Sequence, residues 1–390
     1  MMLPRNRYFS PLLARDRNES HRTATQLELF FDLVVVIAIA AAAHGLAHEI
    51  GEGQIVMGLI KYLMAFFAIW WPWNLFTWFA SSFDNDDEAY RINVMVMMAG
   101  VMLIAASIPT IFTDARMTYG FTGYIILRLA SAILWLRVGG GNPQLKRTAK
   151  RYAVAQIAIQ GFWAIVVFAA PPGSIASIVL FAIGVVGELF IPWYAEQATS
   201  TPWHRHHIIE RFGLLTIIVL GEVMLGSTLA LEEGISHGFN GGLIAGAVCG
   251  MVLAFTMWWF YFCESDHLES IEIKRAFVWA YGHFLVFASG AAVGAGLGLM
   301  SEVLAADHGG EAHVSLQTAG LAISIPLALY IVSLWLVRDR YQLKQPYGAL
   351  MLFFAVLIAL SGFLPYPPLP SMILMVVCLI VRLRSQVAFP

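Results

Sequence analysis

The chain has little charge and few cysteines. Lys, Arg, Asp and Glu together make up 12% of its 390 residues, and the 23 basic residues nearly cancel the 25 acidic ones. No excess of either sign therefore indicates a nucleic acid or an acidic partner. The three cysteines form no CxxC pair, which excludes a disulfide framework and a metal or cluster site built on spaced cysteines. The sequence accordingly predicts no cofactor, no metal and no nucleic-acid partner.

Apolar residues dominate what remains. They form 59% of the sequence, and the mean hydropathy is +0.72, well above the roughly half-apolar composition of soluble domains. With about 20 apolar residues needed for each span, we predict twelve transmembrane helices that begin near residues 28, 56, 92, 118, 151, 174, 208, 240, 275, 314, 347 and 368. The expected fold is an all-α polytopic membrane protein whose immediate partner is the lipid bilayer.

The basic residues predict an orientation. Residues 1–27 form a basic tail that is expected to lie against the membrane. Twelve spans place this tail, the C-terminus and every even-numbered loop on one side, and these segments hold all Lys and Arg except Lys61, Arg116 and Arg128. By the positive-inside rule, both termini are expected in the cytoplasm.

Short motifs recur at corresponding places in the two halves. Glu28-x-Phe30-x-x-Leu33 opens helix 1, and Glu210-x-Phe212-x-x-Leu215 opens helix 7. Helices 4 and 10 also end alike, at Arg137 and Arg338. We therefore predict two six-helix repeats, residues 28–200 and 201–390. Since six is an even number, the repeats are expected to be parallel, with a site where they meet.

Two carboxylates stand at the start of the first apolar run. Glu28 and Asp32 are four residues apart, so on a helix they lie on one face. Charged side chains in a membrane span usually face a bundle interior or a water-filled cavity, which predicts an acidic site near one membrane face. The alternative is that Glu28 is only a helix-start carboxylate stabilised by the helix dipole.

Three further polar residues fall inside spans. Glu222 is deep in helix 7, where a carboxylate must be protonated, paired or exposed to a cavity. Arg128 needs an anion, and the sequence offers Asp32, Glu188 and Glu222 without choosing between them. His283, in helix 9, titrates near neutral pH and is a candidate proton relay, although a histidine on an apolar helix is often a hydrogen-bonded packing residue.

Polar residues also cluster in the loop after helix 2 and at the start of helix 7. Asp84, Asp86 and Asp87 precede Arg91, and we interpret this loop as an ordered polar loop or gate held by Arg91, a divalent-cation site or a plain solvated loop. It lacks the glycine of an EF-hand. At the start of helix 7 stand His207, Glu210 and Arg211, preceded by His206. His206 and Glu210 could supply two ligands to zinc or copper, but zinc needs at least three well-placed ligands, which favours a basic cap.

Three long motifs resemble one known family. Their residues are Glu28-Leu-Phe-Phe-Asp32-Leu-Val, then Trp73…Thr77-Trp78-Phe79…Phe83-Asp84-x-Asp86-Asp87, and His207-Ile-Ile-Glu210-Arg211-x-Gly213-Leu-x-x-Ile217-Ile-x-Leu220-Gly221-Glu222. In this order they look like the hallmark segments of the bacterial low temperature requirement protein A (LtrA) family. The resemblance implies a multi-pass protein of the bacterial inner membrane and implies little about its chemistry.

The leading functional hypothesis is a proton- or cation-coupled secondary transporter of a small molecule or ion. Its predicted binding residues are Glu28, Asp32, Arg128, Glu222 and His283. A cation channel is the first alternative. A membrane-embedded lipid-modifying enzyme is the second, and it is disfavoured because no Ser or Cys nucleophile stands near a His and a carboxylate at readable spacing. The sequence predicts no catalytic residue. It is compatible with a monomer and with a homo-oligomer.

Overall fold

A computed structural model describes residues 8, 10–17, 19, 22–83, 85–236, 241–264, 268, 272–306 and 314–387. Within these ranges the regular structure is entirely helical. Twelve helices are named α1 to α12 in chain order: Gln26–Gly51, Ile55–Phe83, Glu88–Asp114, Thr118–Gly141, Lys146–Phe168, Ile175–Glu196, Arg205–Ser236, Gly241–Phe262, Ile273–Ala306, Leu316–Gln342, Tyr347–Ser361 and Pro368–Val387. The predicted all-α polytopic architecture is confirmed.

Each helix begins within five residues of its predicted start, with the largest difference at α5. Eleven of the helices in the described ranges are long and apolar enough to cross a membrane. The remaining one, α11, has 15 residues and a length of about 22 Å at 1.5 Å per residue, which is shorter than a hydrocarbon core of about 30 Å.

The helix starts follow local capping chemistry. Asp87, Ser174 and Ser315 precede α3, α6 and α10, and each side chain accepts a hydrogen bond from the backbone N–H three residues later. Such caps satisfy donors that the first helical turn leaves without a partner. The loops between Phe168 and Ile175 and between Ser361 and Pro368 contain Pro171, Pro172, Pro365 and Pro367, which fits the rarity of proline inside helices.

The chain divides into two compact units. Unit 1 comprises Met1–Ala41 and Met64–Arg211, and unit 2 comprises Ala42–Leu63 and Phe212–Pro390. In unit 1, helices α3 to α6 pack against one another in chain order, and in unit 2 helices α9 to α12 do the same. The division passes through α1, α2 and α7, so each of these helices contributes to both units. The predicted repeat boundary near residue 200 stays a prediction.

Aromatic contacts fix the register of α4 against α5 in unit 1. Trp135 stacks on Tyr152 with ring centroids 3.9 Å apart, and Tyr124 meets Trp163 at 6.4 Å. From the first pair to the second, the residue number on α4 falls by as much as the residue number on α5 rises. This is the pattern of two antiparallel helices. Arg128 lies between the two pairs along α4. Its side chain is fully buried in the interior of unit 1.

Candidate functional site

The first helix begins with a reciprocal cap. The Glu28 carboxylate accepts a hydrogen bond of 2.6 Å from the Thr25 N–H, and the Glu28 N–H donates to Thr25 Oγ1 at 3.3 Å. This is a capping box, in which residues three apart satisfy each other's backbone donors. Glu28 is therefore a helix-start carboxylate, as one of the two interpretations held, but capping is only part of its role.

Arg211 joins both carboxylates of α1 in unit 1. Its Nη1 lies 3.2 Å from Glu28 Oε1, and its Nη2 lies 2.5 Å from Asp32 Oδ1. His207, one turn earlier on α7, places Nε2 3.2 Å from Glu28 Oε1. All four side chains are fully buried. The i, i+4 spacing on each helix puts two acids opposite a cation and a histidine, so that the acidic pair is charge-compensated.

Trp73 completes this cluster. Its indole N–H donates a 2.6 Å hydrogen bond to Asp32 Oδ1, the oxygen that also faces Arg211. Glu210, the other residue predicted at the start of helix 7, is half-buried and bonds to the backbone of Ala24 instead. The structure thus brings together Glu28, Asp32, His207 and Arg211, with Glu210 outside the ion pairs. We name these four residues with Trp73 the helix 1–helix 7 cluster.

Arg128 pairs with Glu188, one of the three carboxylates that the sequence offers. Its Nη2 lies 2.5 Å from Glu188 Oε2. The same carboxylate accepts hydrogen bonds from three aromatic side chains: Trp71 at 3.0 Å, Tyr124 at 2.9 Å and Trp163 at 3.1 Å. Four donors on one buried carboxylate compensate much of the cost of removing it from water. This pair lies in unit 1, close to the middle of α4 and α6.

Glu222 has a different environment in unit 2. Together with His44, His48, Glu52, Glu232 and Glu302 it lines a cavity of about 860 Å³. No hydrogen bond or ion pair joins its carboxylate to another of the residues that the structure describes, although His44 interacts with it electrostatically. The cavity is bounded by the second halves of α1, α7 and α9. Of the predicted intramembrane carboxylates, Glu222 is the one that faces open space.

His283 is held among aromatic rings in unit 2. Its Nδ1 lies 2.8 Å from the Trp279 carbonyl oxygen and therefore donates, while its Nε2 lies 3.1 Å from the Tyr261 hydroxyl. Phe212 and Trp279 pack against the ring. Both ring nitrogens thus have partners, as in a packing histidine, and the role of His283 in proton transfer stays a prediction.

The acidic loop after α2 contains two unlike carboxylates. Asp87 is buried and lies 2.7 Å from Arg137 Nη2, while Asp86 pairs with Arg91 at 2.7 Å with both side chains more than half exposed. Asp84 lies outside the described residues. Burial raises the pKa of Asp87, but hydrogen bonds from Arg137 and from the backbone N–H groups of Ser10 and Tyr90 outweigh it and hold that pKa below its ordinary value.

A hydrogen bond from Arg91 likewise lowers the pKa of Asp86. Of the three interpretations of the loop, an ordered polar loop describes residues 85–87 best. Its main cationic partner is Arg137, at the end of α4, instead of Arg91.

Sequence reasoning missed several partners in these clusters. Trp73, Tyr124 and Trp163 look like ordinary lipid-interface or core aromatics in the sequence. A second buried network in unit 2 was missed as well: Arg338 Nε lies 2.7 Å from Asp339 Oδ1, and Arg382 reaches the same oxygen at 3.1 Å. The available signal was the cost of placing charge in an apolar helix, since each buried arginine requires an anion nearby.

These observations define a polytopic α-helical membrane protein with buried ion pairs in both units and an acidic cavity in unit 2. Residues 23–383 match the family described as bacterial low temperature requirement A protein (LtrA). The chain belongs to this family, as its three motifs predicted. It is also 24% identical over 290 residues to an uncharacterized protein of Rhizobium meliloti (strain 1021), a match that covers 69% of this chain and 67% of that protein.

Proposed function

We propose that this protein is a secondary transporter that couples the movement of a small solute to protons or to another cation. The observation that carries the proposal is the cavity at Glu222. A carboxylate near the middle of a membrane-spanning helix, without an ion-pair partner among the described residues, is costly unless it binds protons or cations. Its cavity of about 860 Å³ is within the range of pockets that hold small organic ligands.

The cavity also contains two histidines that can carry protons. His44 and His48 are exposed to it, one turn apart near the end of α1. Imidazole is a common proton carrier in proteins. In the proposal Glu222 binds the proton or the cationic solute, and these histidines pass protons to and from Glu222 along the cavity.

The helix 1–helix 7 cluster has a second role in the proposal. Asp32 and Glu28 share Arg211, so protonation of Asp32, or binding of a cation by it, would weaken its hold on Arg211 and on α7. Arg128 is compensated locally by Glu188 and serves as the countercharge that keeps a carboxylate ionised at membrane depth. In the proposal, binding of a proton or cation at Asp32 and at Glu222 are two distinct events. Single substitutions at each of the two residues distinguish them.

We also propose that the fold is an internal duplication with both termini in the cytoplasm of a bacterial inner membrane. Two four-helix runs packed in chain order support the duplication. Further support comes from two arginines near the ends of the fourth and tenth helices. Arg137 bonds to Asp87, four residues after α2, and Arg338 donates to the carbonyl oxygens of Phe260 and Tyr261 at the end of α8.

The proposal is tested by flux in liposomes. Purified protein is reconstituted with an internal pH dye, and proton and cation flux are recorded under a potassium-set voltage for wild type, Glu222→Gln and Asp86→Asn. Asp86→Asn is the control because it removes an exposed carboxylate outside the cavity. We expect flux in wild type and in the control and its loss in Glu222→Gln.

Flux that persists in a folded Glu222→Gln variant, or no flux in wild type across proton and cation gradients, would contradict the proposal. Saturation with rising concentration identifies a carrier. Flux that does not saturate and follows voltage alone would favour a cation channel.

A further inference from the structure

The segment before α1 crosses the ends of several helices of unit 1. We call its described residues, 8, 10–17, 19 and 22–25, the strap. The sequence predicts a basic tail against the membrane, but the strap has no helix and is bonded to protein at many points. Leu12 is completely buried, and Ser10 and Arg22 are nearly so.

One anchor of the strap is the end of α4. Asn142 accepts a 2.9 Å hydrogen bond from the Ala14 N–H and donates one of 2.5 Å to the Leu12 carbonyl oxygen. Gly141, the last residue of α4, lies so close that a Cβ there would be 2.7 Å from the Leu12 oxygen. Only a glycine permits this approach, since real Cβ contacts are longer.

Further anchors lie at the end of α2 and before α7. The Arg15 N–H donates to the Ser82 carbonyl oxygen at 3.0 Å, and Arg22 donates to the Ala80 carbonyl oxygen at 2.7 Å. Arg17 reaches the Thr201 carbonyl oxygen at 3.0 Å. The strap thus satisfies carbonyl groups that the last turn of α2 cannot pair within the helix.

The start of α3 is the fourth anchor. Asp87 accepts a 2.9 Å hydrogen bond from the Ser10 N–H, and the Ser10 carbonyl oxygen accepts one of 2.9 Å from Arg137. The anchors are therefore the ends of α2 and α4 and the starts of α3 and α7. If each helix crosses the membrane in turn, all of these lie on the side where α1 begins.

The strap also connects to the helix 1–helix 7 cluster. His204 Nε2 lies 2.8 Å from the Glu19 carbonyl oxygen, and its Nδ1 accepts the His207 N–H at 3.3 Å. His207 in turn contacts Glu28. A short chain of hydrogen bonds thus runs from the strap to the buried ion pairs.

We propose that the strap is a gate: when bound it closes unit 1 on the side where α1 begins, and its release exposes the buried polar residues behind it. Among the described strap residues, Leu12 is the apolar side chain that is fully buried, and the anchors named above are hydrogen bonds, each of which contributes modestly in net terms. Such a segment opens locally more readily than a helix core. As a step in transport the gate rests on the proposed function, but its opening is measured without any solute.

The test uses two adjacent glycines. Gly141→Ala places a methyl group against the Leu12 oxygen, while Gly140→Ala places one in open space, with no atom within 4 Å. Opening of the strap is measured as hydrogen exchange of backbone N–H groups in residues 10–15. Exposure behind the strap is measured as labelling by a water-soluble maleimide at position 82 in a Ser82→Cys background. In the wild type Ser82 is fully buried, and its carbonyl oxygen accepts a hydrogen bond from the strap.

We expect both exchange and labelling to rise about tenfold or more in Gly141→Ala, because overpacking of this size shifts a local opening equilibrium by such a factor. Both are expected to stay at the parental level in Gly140→Ala. If Gly141→Ala does not fold, Leu12→Ser, a change in the strap itself, takes its place with the same expectation.

Two outcomes overturn the gate. The first is faster exchange in the strap without faster labelling at position 82, which would make the strap a tether that covers nothing. The second is unchanged exchange in both Gly141→Ala and Leu12→Ser. Absence of flux in wild-type liposomes would count against the proposed transport and leaves the labelling result unaffected.

Discussion

Gly294 of α9 lies directly against Glu222 of α7. A Cβ at position 294 would be 2.9 Å from both the carbonyl carbon and the carbonyl oxygen of Glu222 and 3.1 Å from its Cβ. The position of the cavity carboxylate therefore depends on a residue without a side chain on the neighbouring helix. Close approach of backbones at small residues is a common way for helices to pack in membranes.

We predict that Gly294→Ala impairs flux about as severely as Glu222→Gln does, because the methyl group displaces the backbone that carries the carboxylate. Gly298→Ala is the matched control: Gly298 lines the same cavity, and a Cβ there meets no atom within 4 Å. The measurement is the liposome flux assay, with unfolding temperature as a check on folding. Equal flux in the two alanine variants would show that the placement of Glu222 does not matter.

The second prediction concerns the compensation of Glu28 and Asp32. Arg211→Gln leaves two buried carboxylates without their guanidinium partner, and we expect a loss of about 3–5 kcal/mol in unfolding free energy. Arg91→Gln breaks an ion pair whose side chains are 53% and 57% exposed, and we expect little loss of unfolding free energy there. Thermal unfolding in detergent measures both. A small loss in Arg211→Gln would mean that the two acids are already neutral in the folded protein.

The third prediction concerns pH. The pKa of Asp87 is lowered in the folded state, so its ionised form stabilises the fold above the ordinary aspartate value of about 3.9, and this contribution is lost as the pH falls through the lower folded value. Asp87→Asn lacks it and should be less stable than wild type by about 1.5–3 kcal/mol near neutral pH, the range for hydrogen bonds to charged groups.

The measurement is the unfolding temperature of both proteins from about pH 7 to about pH 3, and the difference between them should shrink toward the acid end. Asp86→Asn, at an exposed pair, should differ little from wild type throughout. A difference between wild type and Asp87→Asn that stays constant with pH would mean that the charge of Asp87 contributes nothing.

The sequence predicted the helices well and the contact partners of the buried charged side chains poorly, for a physical reason. Helix starts follow local signals such as the span of apolar residues and the spacing of Thr25 and Glu28, which is the pattern of a capping box. The choice of Glu188 over Asp32 or Glu222 as partner of Arg128 depends on which helices pack together. Periodicity along one helix does not contain that information.

The strap shows the same limit more strongly. Its anchors are largely backbone groups, such as the Arg15 N–H and the carbonyl oxygens of Leu12 and Ser82. Every residue except proline carries such groups, so no residue pattern distinguishes an anchored segment from a solvated tail. The side-chain signals that did exist, Asn142 and Asp87, lie more than 70 residues away along the chain.

The fourth prediction separates packing from function at Arg128 and Glu188. Arg128→Met alone leaves a buried carboxylate without its cation, and Glu188→Gln alone leaves a buried guanidinium without its anion, so each should cost about 3–5 kcal/mol. The double variant removes both charges, while the side-chain amide at position 188 keeps one acceptor oxygen for Tyr124 and Trp163, which share one oxygen of Glu188 in the wild type. Since a neutral replacement of a buried ion pair is often tolerated, we expect the double variant to recover most of the lost stability.

Flux in that double variant then decides the role of the pair. If Arg128 acts as the countercharge in transport, the variant folds but its flux is lost, because the buried pair of charges at positions 128 and 188 is gone. Normal flux in a stable double variant would show that the pair only fixes the packing of α4 against α6. The double-mutant cycle in unfolding free energy supplies the control, since a coupling near zero would mean that the two side chains do not interact as the 2.5 Å contact indicates.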